Sequence, residues 1–332
     1  MRKIRVGVVG VGRLGQLHAR LYREVERAEL VGVFDTDHSR AQALATELGV
    51  MAFASVDELL DAAEAVNVVV PTSYHFSLAQ QAIEKQCHVF IEKPITVTTQ
   101  EAQMLIQQSI ERNVVLQVGH IERFNPALLA LRGVHVAPMF IESHRLASFD
   151  PRGTDVAVVL DLMIHDLDVI LSLVKSPLEQ IDASGVAVIS NEPDIANARL
   201  KFENGCVANV TASRISQKKM RKMRLFQRDA YISIDFLQGL SEVFKLVPAD
   251  TPMNPSSLPL ILGKIDQGEK KRQIIYEKLQ APEGNALKME LESFLEAIAN
   301  GTPPPVTGED GLRALEVASA ITEMIKKTAP EV

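Results

Sequence analysis

Two short groups of polar residues have the types and spacing needed for acid–base chemistry. The first is Glu92-Lys93-Pro94, which follows an apolar run at residues 88–91. In open parallel sheets, ligands bind beyond the carboxyl ends of the strands, so a lysine at such an end is placed to meet a reacting oxygen. Pro94 would stiffen the exit from the strand. We therefore interpret Lys93 as a catalytic candidate, with a surface Glu-Lys pair on a loop as the alternative.

The second group is Asp161-x-x-x-His165-x-x-Asp168, in a long apolar stretch that predicts one helix over residues 155–174. Residues four apart share a helix face, so Asp161 can reach His165; Asp168 lies near that face and Asp166 does not. A carboxylate one turn away can hold a histidine in one tautomer and raise its basicity. The pair therefore predicts a general base, His165, oriented by Asp161. A mutually satisfied Asp–His pair in the core is the alternative.

A glycine-rich turn near the start of the chain predicts the ligand beside which these groups act. Gly10-x-Gly12-x-x-Gly15 lies between a β-branched apolar run and a helical pattern with apolar residues on one face. Gly10 makes the tight turn, Gly12 lets a pyrophosphate approach the backbone, and Gly15 lets the helix pack closely on the strand. The N–H groups at the helix start, among them those of Arg13 and Leu14, would point at the anion. The motif therefore predicts a dinucleotide site.

Asp35 supports the dinucleotide interpretation. It ends the next apolar run, at residues 30–34, close to the spacing of about 20 residues that separates this motif from an acid binding the adenosine ribose hydroxyls. Because its carboxylate would repel a 2′-phosphate, we expect NAD as the cofactor rather than NADP. Arg40 is the opposing feature, since its guanidinium could turn toward such a phosphate.

The order of elements predicts two domains, at residues 1–121 and 122–332. Strands and helices alternate through about residue 120, as in a parallel sheet covered on both faces. After Gly119 the extended segments follow one another without helices between them, which indicates an antiparallel sheet. A Pro/Ser-rich loop is predicted at 252–259, and two helices close the chain at about 286–299 and 308–327.

Composition narrows the class of protein. The net charge of −7 argues against nucleic acid as a partner. Cys87 and Cys206 lie far apart without the spacing of metal ligands, which suits a reducing compartment. A metal site made of the Asp/His pair and His120 would not match a known ligand pattern, so no metal is expected. The first strand begins almost at Met1 and no apolar run is long enough to span a bilayer. We therefore expect a cytoplasmic protein with no signal peptide and no membrane partner.

Taken with Pro71-Thr72-x-x-His75, these motifs resemble the glucose–fructose oxidoreductase/inositol dehydrogenase/MocA (Gfo/Idh/MocA) family along the whole chain. The resemblance implies an α/β protein: an N-terminal Rossmann dinucleotide-binding domain and a C-terminal α/β domain with a large, mainly antiparallel open sheet. That sheet would form a homodimer or homotetramer. The resemblance further implies that catalysis uses Lys93, His165 and Asp161, and that the cofactor is lined by Pro71, Thr72, His75, Glu92 and Lys93 as well as the glycine turn.

The segment Gly119-His120-Ile121-Glu122-Arg123-Phe124-Asn125-Pro126 is similar to the branch of the family that oxidises the 3-hydroxyl of UDP-N-acetylglucosamine. It implies an NAD-dependent dehydrogenase acting on a secondary hydroxyl of a nucleotide sugar. Alternatives are a dehydrogenase of a free polyol or sugar, and a dinucleotide-binding regulator without turnover. The implied substrate contacts are His120, Glu122, Arg123, Asn125, Asp161 and His165.

Three further features bear on the site. Val156, Ala157 and Met163 stand where the family often has glycines or a small residue, which predicts a bulkier pocket floor. The basic run at 218–224 is interpreted as a solvated loop and strand face, with contact to a nucleotide diphosphate as the alternative. His18, inside the first helix, is interpreted as a packing histidine.

Overall fold

The computed structural model describes residues 2–149, 156–251, 260–267 and 270–328. It forms two compact units, Met1–Phe124 with Gly284–Glu316, and Asn125–Glu283 with Val317–Val332. The predicted division at 121/122 differs from this one, since the change comes after Phe124 and a C-terminal segment returns to the first unit. Chain order alone could not show that return.

Helices and strands alternate in the first part of the chain, and strands dominate the second. In chain order the described helices are α1 (Arg13–Tyr22), α2 (His38–Leu48), α3 (Val56–Ala62), α4 (His75–Glu84), α5 (Thr99–Glu111), α6 (Pro126–Leu129), α7 (Ile164–Leu173), α8 (Ala286–Asn300) and α9 (Gly308–Thr328). The strands of the first unit are β1 (Ile4–Val9), β2 (Ala28–Phe34), β3 (Met51–Ala52), β4 (Ala65–Val68), β5 (His88–Glu92) and β6 (Leu116–Gly119).

The six strands of the first unit form a parallel sheet in the order β3-β2-β1-β4-β5-β6. The predicted Rossmann domain is confirmed. Strand order reverses between β1 and β4, and a doubly wound sheet opens a crevice at the carboxyl ends of the strands at such a point. The fold therefore places the ends of β1 and β4 at the edge where a ligand binds.

Helix starts in the first unit follow the capping signals with one change. Asp37 accepts a hydrogen bond from Arg40 N. The sequence Thr98-x-x-Glu101 has the spacing of a capping box, and both of its hydrogen bonds form. The sequence Ser55-x-x-Glu58 has the same spacing, but only half of the box forms: the Ser55 hydroxyl accepts from Glu58 N, whereas the Glu58 carboxylate accepts from Ala54 N. The glutamate therefore reaches one residue beyond the cap residue, a detail that spacing cannot resolve.

α8 belongs to the first unit because its apolar face is buried there. Leu287, Leu291, Phe294 and Leu295 join one hydrophobic cluster with residues of β1, β2 and α1. Phe294 meets Phe90 of β5 edge to face, with ring centroids 5.8 Å apart. Burial of four large side chains favours this position by several kcal/mol. α9 contributes its residues up to Glu316 to the same unit and the rest to the second unit.

The second unit is built on a large sheet. Its strands are β7 (Phe140–Leu146), β8 (Leu178–Val186), β9 (Ile195–Phe202), β10 (Val207–Ser213), β11 (Met220–Phe226), β12 (Ala230–Asp235), β13 (Leu240–Pro248), β14 (Leu260–Gln267) and β15 (Lys270–Leu279). They lie in the order β14-β15-β13-β12-β11-β7-β10-β9-β8. The predicted mainly antiparallel sheet is confirmed, with one exception. β7 and β10 pair in parallel, because the chain leaves β7 through α7 and returns through the β8–β9 meander.

Two further points concern this unit. β14 was not predicted, and the proposed loop at 252–259 lies outside the described residues. None of the helices in the described part of the chain combines the length and the apolar character that crossing a membrane requires.

Candidate active site

The glycine turn between β1 and α1 has the geometry that the motif predicts. Gly10 has φ +86°, and a Cβ there would lie 2.3 Å from Val69 O. A Cβ on Gly15 would lie 1.8 Å from Gly10 O, so the helix packs directly on the strand end. At Gly12, a Cβ would have no atom within 4 Å. The space in front of the α1 N-terminus is therefore open to an anion, which the helix dipole and first N–H groups favour.

A cleft of about 770 Å³ opens at this turn, within the first unit. Its lining includes eight of the predicted cofactor residues: Gly10, Gly12, Arg13, Leu14, Gly15, Asp35, Arg40 and Pro71. The volume and the apolar walls suit a dinucleotide-sized ligand. Sequence reasoning missed five lining residues that follow β4, namely Val69, Val70, Tyr74, Ser77 and Leu78. The strand-order reversal beside β4 was the signal that could have found them.

Asp35 is fixed at the end of β2 by backbone donors. Its Oδ2 accepts from Val11 N at 2.8 Å and its Oδ1 from Asp37 N at 2.9 Å. Arg40 Nη1 lies 3.3 Å from Asp35 Oδ2, and Arg40 Nη2 lies 3.1 Å from Asp37 Oδ2. The guanidinium is thus turned toward two carboxylates, and the negative charge of Asp35 is held at the wall of the cleft.

His75 does not line this cleft. Its ring is buried, with Nδ1 2.8 Å from Pro94 O and Nε2 2.9 Å from Val70 O. Burial lowers the pKa of His75, while the two carbonyls and the charge of Glu92 oppose that shift. The ring therefore bridges the chain after β4 and the chain after β5, which differs from the direct cofactor contact implied by the resemblance. Thr72 begins the short 3₁₀ turn Thr72–Tyr74 and is likewise not part of the lining.

Glu92 and Lys93 lie at the carboxyl end of β5, as predicted. Glu92 Oε2 accepts a hydrogen bond from Lys93 N at 3.3 Å, and Glu92 Oε1 lies 3.2 Å from His18 Nε2. The Lys93–Pro94 peptide bond is cis. The interpretation of His18 as only a packing residue is therefore incomplete, because its ring meets a carboxylate beside the candidate lysine.

The side chains of the segment after β6 are buried or contact residues distant in sequence. His120 and Glu122 are buried. Arg123 Nη2 lies 3.5 Å from Asp310 Oδ1, and its side chain is 16% exposed. Asn125 caps α6 by accepting from Ala127 N, and its amide donates to Phe236 O at 3.1 Å. Of the four predicted substrate residues here, Asn125 carries a structural role that the Asn-Pro sequence already allowed.

Asp161 and His165 lie in the second unit, on a helix that changes form. Residues Val159–Met163 are π-helical, and α7 continues from Ile164. The predicted single helix over 155–174 is wrong in this respect, and residue 155 lies outside the described residues. A π-helix has slightly more residues per turn, but residues four apart still lie close to one face, so the pairing of Asp161 with His165 stays a prediction. Both side chains are half-buried.

The neighbouring acids of this helix have structural surroundings. Asp166 forms a buried bidentate ion pair with Arg145, at 2.8 and 3.0 Å, and Asp168 is also buried. Breaking such a pair would leave an uncompensated buried charge. Asp166 thus anchors the helix to β7, which agrees with its exclusion from the predicted catalytic face.

The remaining sequence features are placed as follows. Ala157 and Met163 are buried, whereas Val156 is 39% exposed. In the basic run, Lys222 Nζ lies 3.1 Å from Asp235 and Arg224 Nη1 lies 3.4 Å from Glu142. These two cations face carboxylates of their own sheet, which favours the interpretation as a strand face. Within the described ranges, no group of three or more His, Cys, Asp and Glu side chains could hold a metal.

Comparison with known proteins agrees with this geometry. The family model described as "Oxidoreductase family, NAD-binding Rossmann fold" matches residues 4–120, and the GFO/IDH/MocA C-terminal domain model matches residues 134–233. The chain is 40% identical over 319 residues to UDP-N-acetylglucosamine 3-dehydrogenase of Acidithiobacillus ferrooxidans, covering 96% of each chain.

A solved structure of UDP-N-acetylglucosamine 3-dehydrogenase from A. ferrooxidans matches with a TM-score of 0.86 at 38% identity, over 98% of this chain and 99% of that one. The scyllo-inositol 2-dehydrogenase (NAD(+)) of Bacillus subtilis is 27% identical, over 99% of this chain and 96% of its own. Both matched domains, the glycine turn and the Lys93 strand end lead to one conclusion: the chain belongs to the Gfo/Idh/MocA family of NAD-binding oxidoreductases.

Proposed function

We propose that this protein is an NAD-dependent dehydrogenase that oxidises the 3-hydroxyl of UDP-N-acetylglucosamine or a similar nucleotide sugar. The observation that carries the proposal is the similarity to UDP-N-acetylglucosamine 3-dehydrogenase, which runs through both units at 40% identity. Relatives named for inositol oxidation reach only 25 and 27% identity over comparable lengths. Oxidation of a free polyol is therefore the second candidate.

The residues of the first unit suit an NAD molecule in the described cleft. The N-terminus of α1 would receive the pyrophosphate, and Asp35 would accept hydrogen bonds from the adenosine ribose hydroxyls. When bound, NAD supplies a carbon that accepts a hydride. Thr72 and His75 would support the residues that line the cleft rather than contact NAD themselves, because the His75 ring contacts the backbone carbonyls of Val70 and Pro94.

Oxidation of a secondary alcohol removes a hydride from carbon and a proton from oxygen, leaving a ketone. We assign removal of the proton to His165, with Asp161 orienting the ring. The ammonium of Lys93 would stabilise the negative charge that develops on the substrate oxygen. The rival interpretation as a regulator without turnover would not need Lys93, Asp161 and His165, and the sequence keeps all three.

Substrate recognition is assigned to the segment that carries His120, Glu122, Arg123 and Asn125. Arg123 is the main candidate, because a guanidinium offers a planar fork to phosphate or sugar oxygens. Its partner Asp310 has a pKa held below the ordinary value: burial opposes this shift, and hydrogen bonds from Thr307 together with the Arg123 charge outweigh burial. Asp310 therefore stays ionised near neutral pH and holds the Arg123 side chain in place.

The assembly and the compartment are also proposals. Five aromatic rings cross one face of the large sheet, with neighbouring centroids 5.0–5.9 Å apart; they belong to Phe140, Phe226, Tyr231, Phe244 and Tyr276. An apolar stripe of this kind supports a homodimer or homotetramer formed through the sheet.

Cys87 and Cys206 are free and buried, which supports a reducing, cytoplasmic location.

The first prediction concerns cofactor choice. NADH should bind at least about tenfold tighter than NADPH, because the fixed charge of Asp35 repels a 2′-phosphate. Asp35→Ser should reduce the difference between the NADH and NADPH affinities, since Arg40 then becomes available to the 2′-phosphate. Asp37→Asn is the matched control, because it removes the other Arg40 partner and leaves Asp35 in place. Fluorescence titration measures both affinities, and tighter NADPH binding by the wild type would contradict the assignment of Asp35.

The second prediction concerns the catalytic groups. Lys93→Met and His165→Ala should each lower kcat by about 10²-fold or more, since each removes a group that acts on the reacting oxygen. Cofactor affinity should change little in both. Steady-state absorbance of NADH gives kcat, and fluorescence gives the cofactor Kd. Full activity of either variant would remove that residue from the proposed mechanism.

The third prediction concerns the substrate. kcat/KM for UDP-N-acetylglucosamine should exceed that for free N-acetylglucosamine and for inositol by about 10²-fold or more, because the nucleotide diphosphate adds binding contacts. Arg123→Ala should raise KM by about 10- to 100-fold, the loss expected from a charge-assisted hydrogen bond. Asp310→Asn is the control, since it weakens the ion pair and keeps the guanidinium. Equal turnover of a free sugar would contradict the nucleotide-sugar assignment and leave the dehydrogenase assignment standing.

A further inference from the structure

Four side chains form a buried polar chain from α1 to the end of β5. They are Tyr22, Asn67, His18 and Glu92, in that spatial order. His18 and Asn67 are fully buried and Tyr22 is 1% exposed. Polar groups in such surroundings need partners. Tyr22 meets Asn67 and Asn67 meets His18 at hydrogen-bond distance, whereas His18 Nε2 lies 3.2 Å from Glu92 Oε1 without the alignment of a hydrogen bond. We refer to these four residues as the buried polar chain.

The two hydrogen bonds that join Tyr22, Asn67 and His18 have a single direction. Burial raises the pKa of Tyr22, so its phenol stays protonated and donates to Asn67 Oδ1 at 2.6 Å. This contact leaves the amide nitrogen of Asn67 facing His18 Nδ1 at 2.9 Å. An amide nitrogen can only donate, so His18 Nδ1 must accept. The proton of a neutral His18 is therefore on Nε2.

The protonated nitrogen of His18 points the chain at Glu92. His18 Nε2 lies 3.2 Å from Glu92 Oε1, and Glu92 Oε2 accepts from Lys93 N. Gly119 closes another side of the carboxylate, since a Cβ there would lie 2.9 Å from Oε1. The carboxylate is thus contacted by a buried ring nitrogen, a backbone donor and a packed glycine. It has little freedom to move, and Lys93 is the next residue along the backbone.

We propose that His18 is a positioning residue for Lys93. Its Nε2–H tautomer, set by Asn67 and Tyr22, lies against the Glu92 carboxylate and attracts it, and that carboxylate accepts the hydrogen bond from the main-chain amide of Lys93. The inference rests on the proposed function in one respect, namely that Lys93 acts on the substrate oxygen. A displacement of about 1 Å of such a group can reduce a rate by about 10²-fold, so a buried support of this kind has a measurable effect on turnover.

His18→Leu tests this role, because leucine keeps the volume and removes both ring nitrogens. kcat should fall by about tenfold or more, while KM and the Kd for NADH change by less than about threefold. His18→Gln should recover most of kcat, since its amide can donate from the position of Nε2. A merely structural histidine would lower thermal stability in both variants and leave kcat per folded molecule unchanged.

His88 provides the matched control. It lies at the start of the same strand, half-buried, and its Nδ1 accepts from Val115 N at 2.9 Å. His88→Leu should lower the melting temperature and leave kcat within about twofold, because that end of β5 is remote from Lys93 along the strand. An equal loss of kcat in His88→Leu and His18→Leu would show a general effect of destabilisation and would overturn the proposal.

A double-mutant cycle with Lys93→Met separates this inference from the proposed function. If His18 acts through Lys93, then His18→Leu should lower kcat only slightly further in a protein that already carries Lys93→Met. A full multiplicative loss in the double variant would contradict the inference. Full activity of Lys93→Met alone would instead contradict the role that the proposed function gives to Lys93.

The tautomer gives a readout that needs no turnover. ¹⁵N NMR of the ring nitrogens, with His18 identified by its loss in His18→Gln, should show the Nε2–H form. Tyr22→Phe removes the hydroxyl that orients Asn67, so it should give a mixture of His18 tautomers and lower kcat by about two- to fivefold. This variant replaces His18→Leu as the test if His18→Leu does not fold. An Nδ1–H tautomer in the wild type would overturn the proposal.

Discussion

The close approach of α1 to the end of β1 is the constraint on which the site depends. A Cβ on Gly15 would stand 1.8 Å from Gly10 O, so no side chain can separate the helix from the strand. This contact aims the N-terminus of α1 into the cleft. It also sets the distance between the sheet and the same face of α1 further along the helix, where His18 and Tyr22 follow at helical spacing. One packing contact therefore couples the glycine turn to the support of Glu92.

Two carboxylates at the carboxyl edge of the parallel sheet are held in a similar way. Asp35 accepts from two backbone N–H groups and faces Arg40, and Glu92 accepts from one backbone N–H group and faces His18. Neither is free to adopt many rotamers. Fixed charges at this edge act on a bound ligand without reorganising, which is the physical basis of selectivity and of transition-state stabilisation in such sites. Buried N–H groups therefore contact these two carboxylates in place of solvent.

Local sequence patterns predicted the features that depend on neighbouring residues. The glycine turn, the Asp35 strand end and the Thr98 capping box each rely on contacts within a short stretch or on a known spacing. The return of α8 to the first unit, the parallel pairing of β7 with β10 and the contact between His18 and Glu92 join residues far apart in the chain, which periodicity cannot detect. The π-helical turn at Asp161 also escaped, since an apolar stretch does not reveal a change in residues per turn. The bridge that His75 makes between two strand ends depends on the same long-range packing.

In the proposed reaction, the protein removes a hydride from the 3-carbon of a nucleotide sugar and delivers it to NAD. The most direct measurement uses UDP-N-acetylglucosamine carrying deuterium at C3 of the sugar, with mass spectrometry of the reduced cofactor. The account predicts that each NADH formed contains one deuterium and that each is matched by one 3-keto sugar nucleotide. Unlabelled NADH, or no NADH from this substrate while a free sugar or polyol is oxidised, would contradict it.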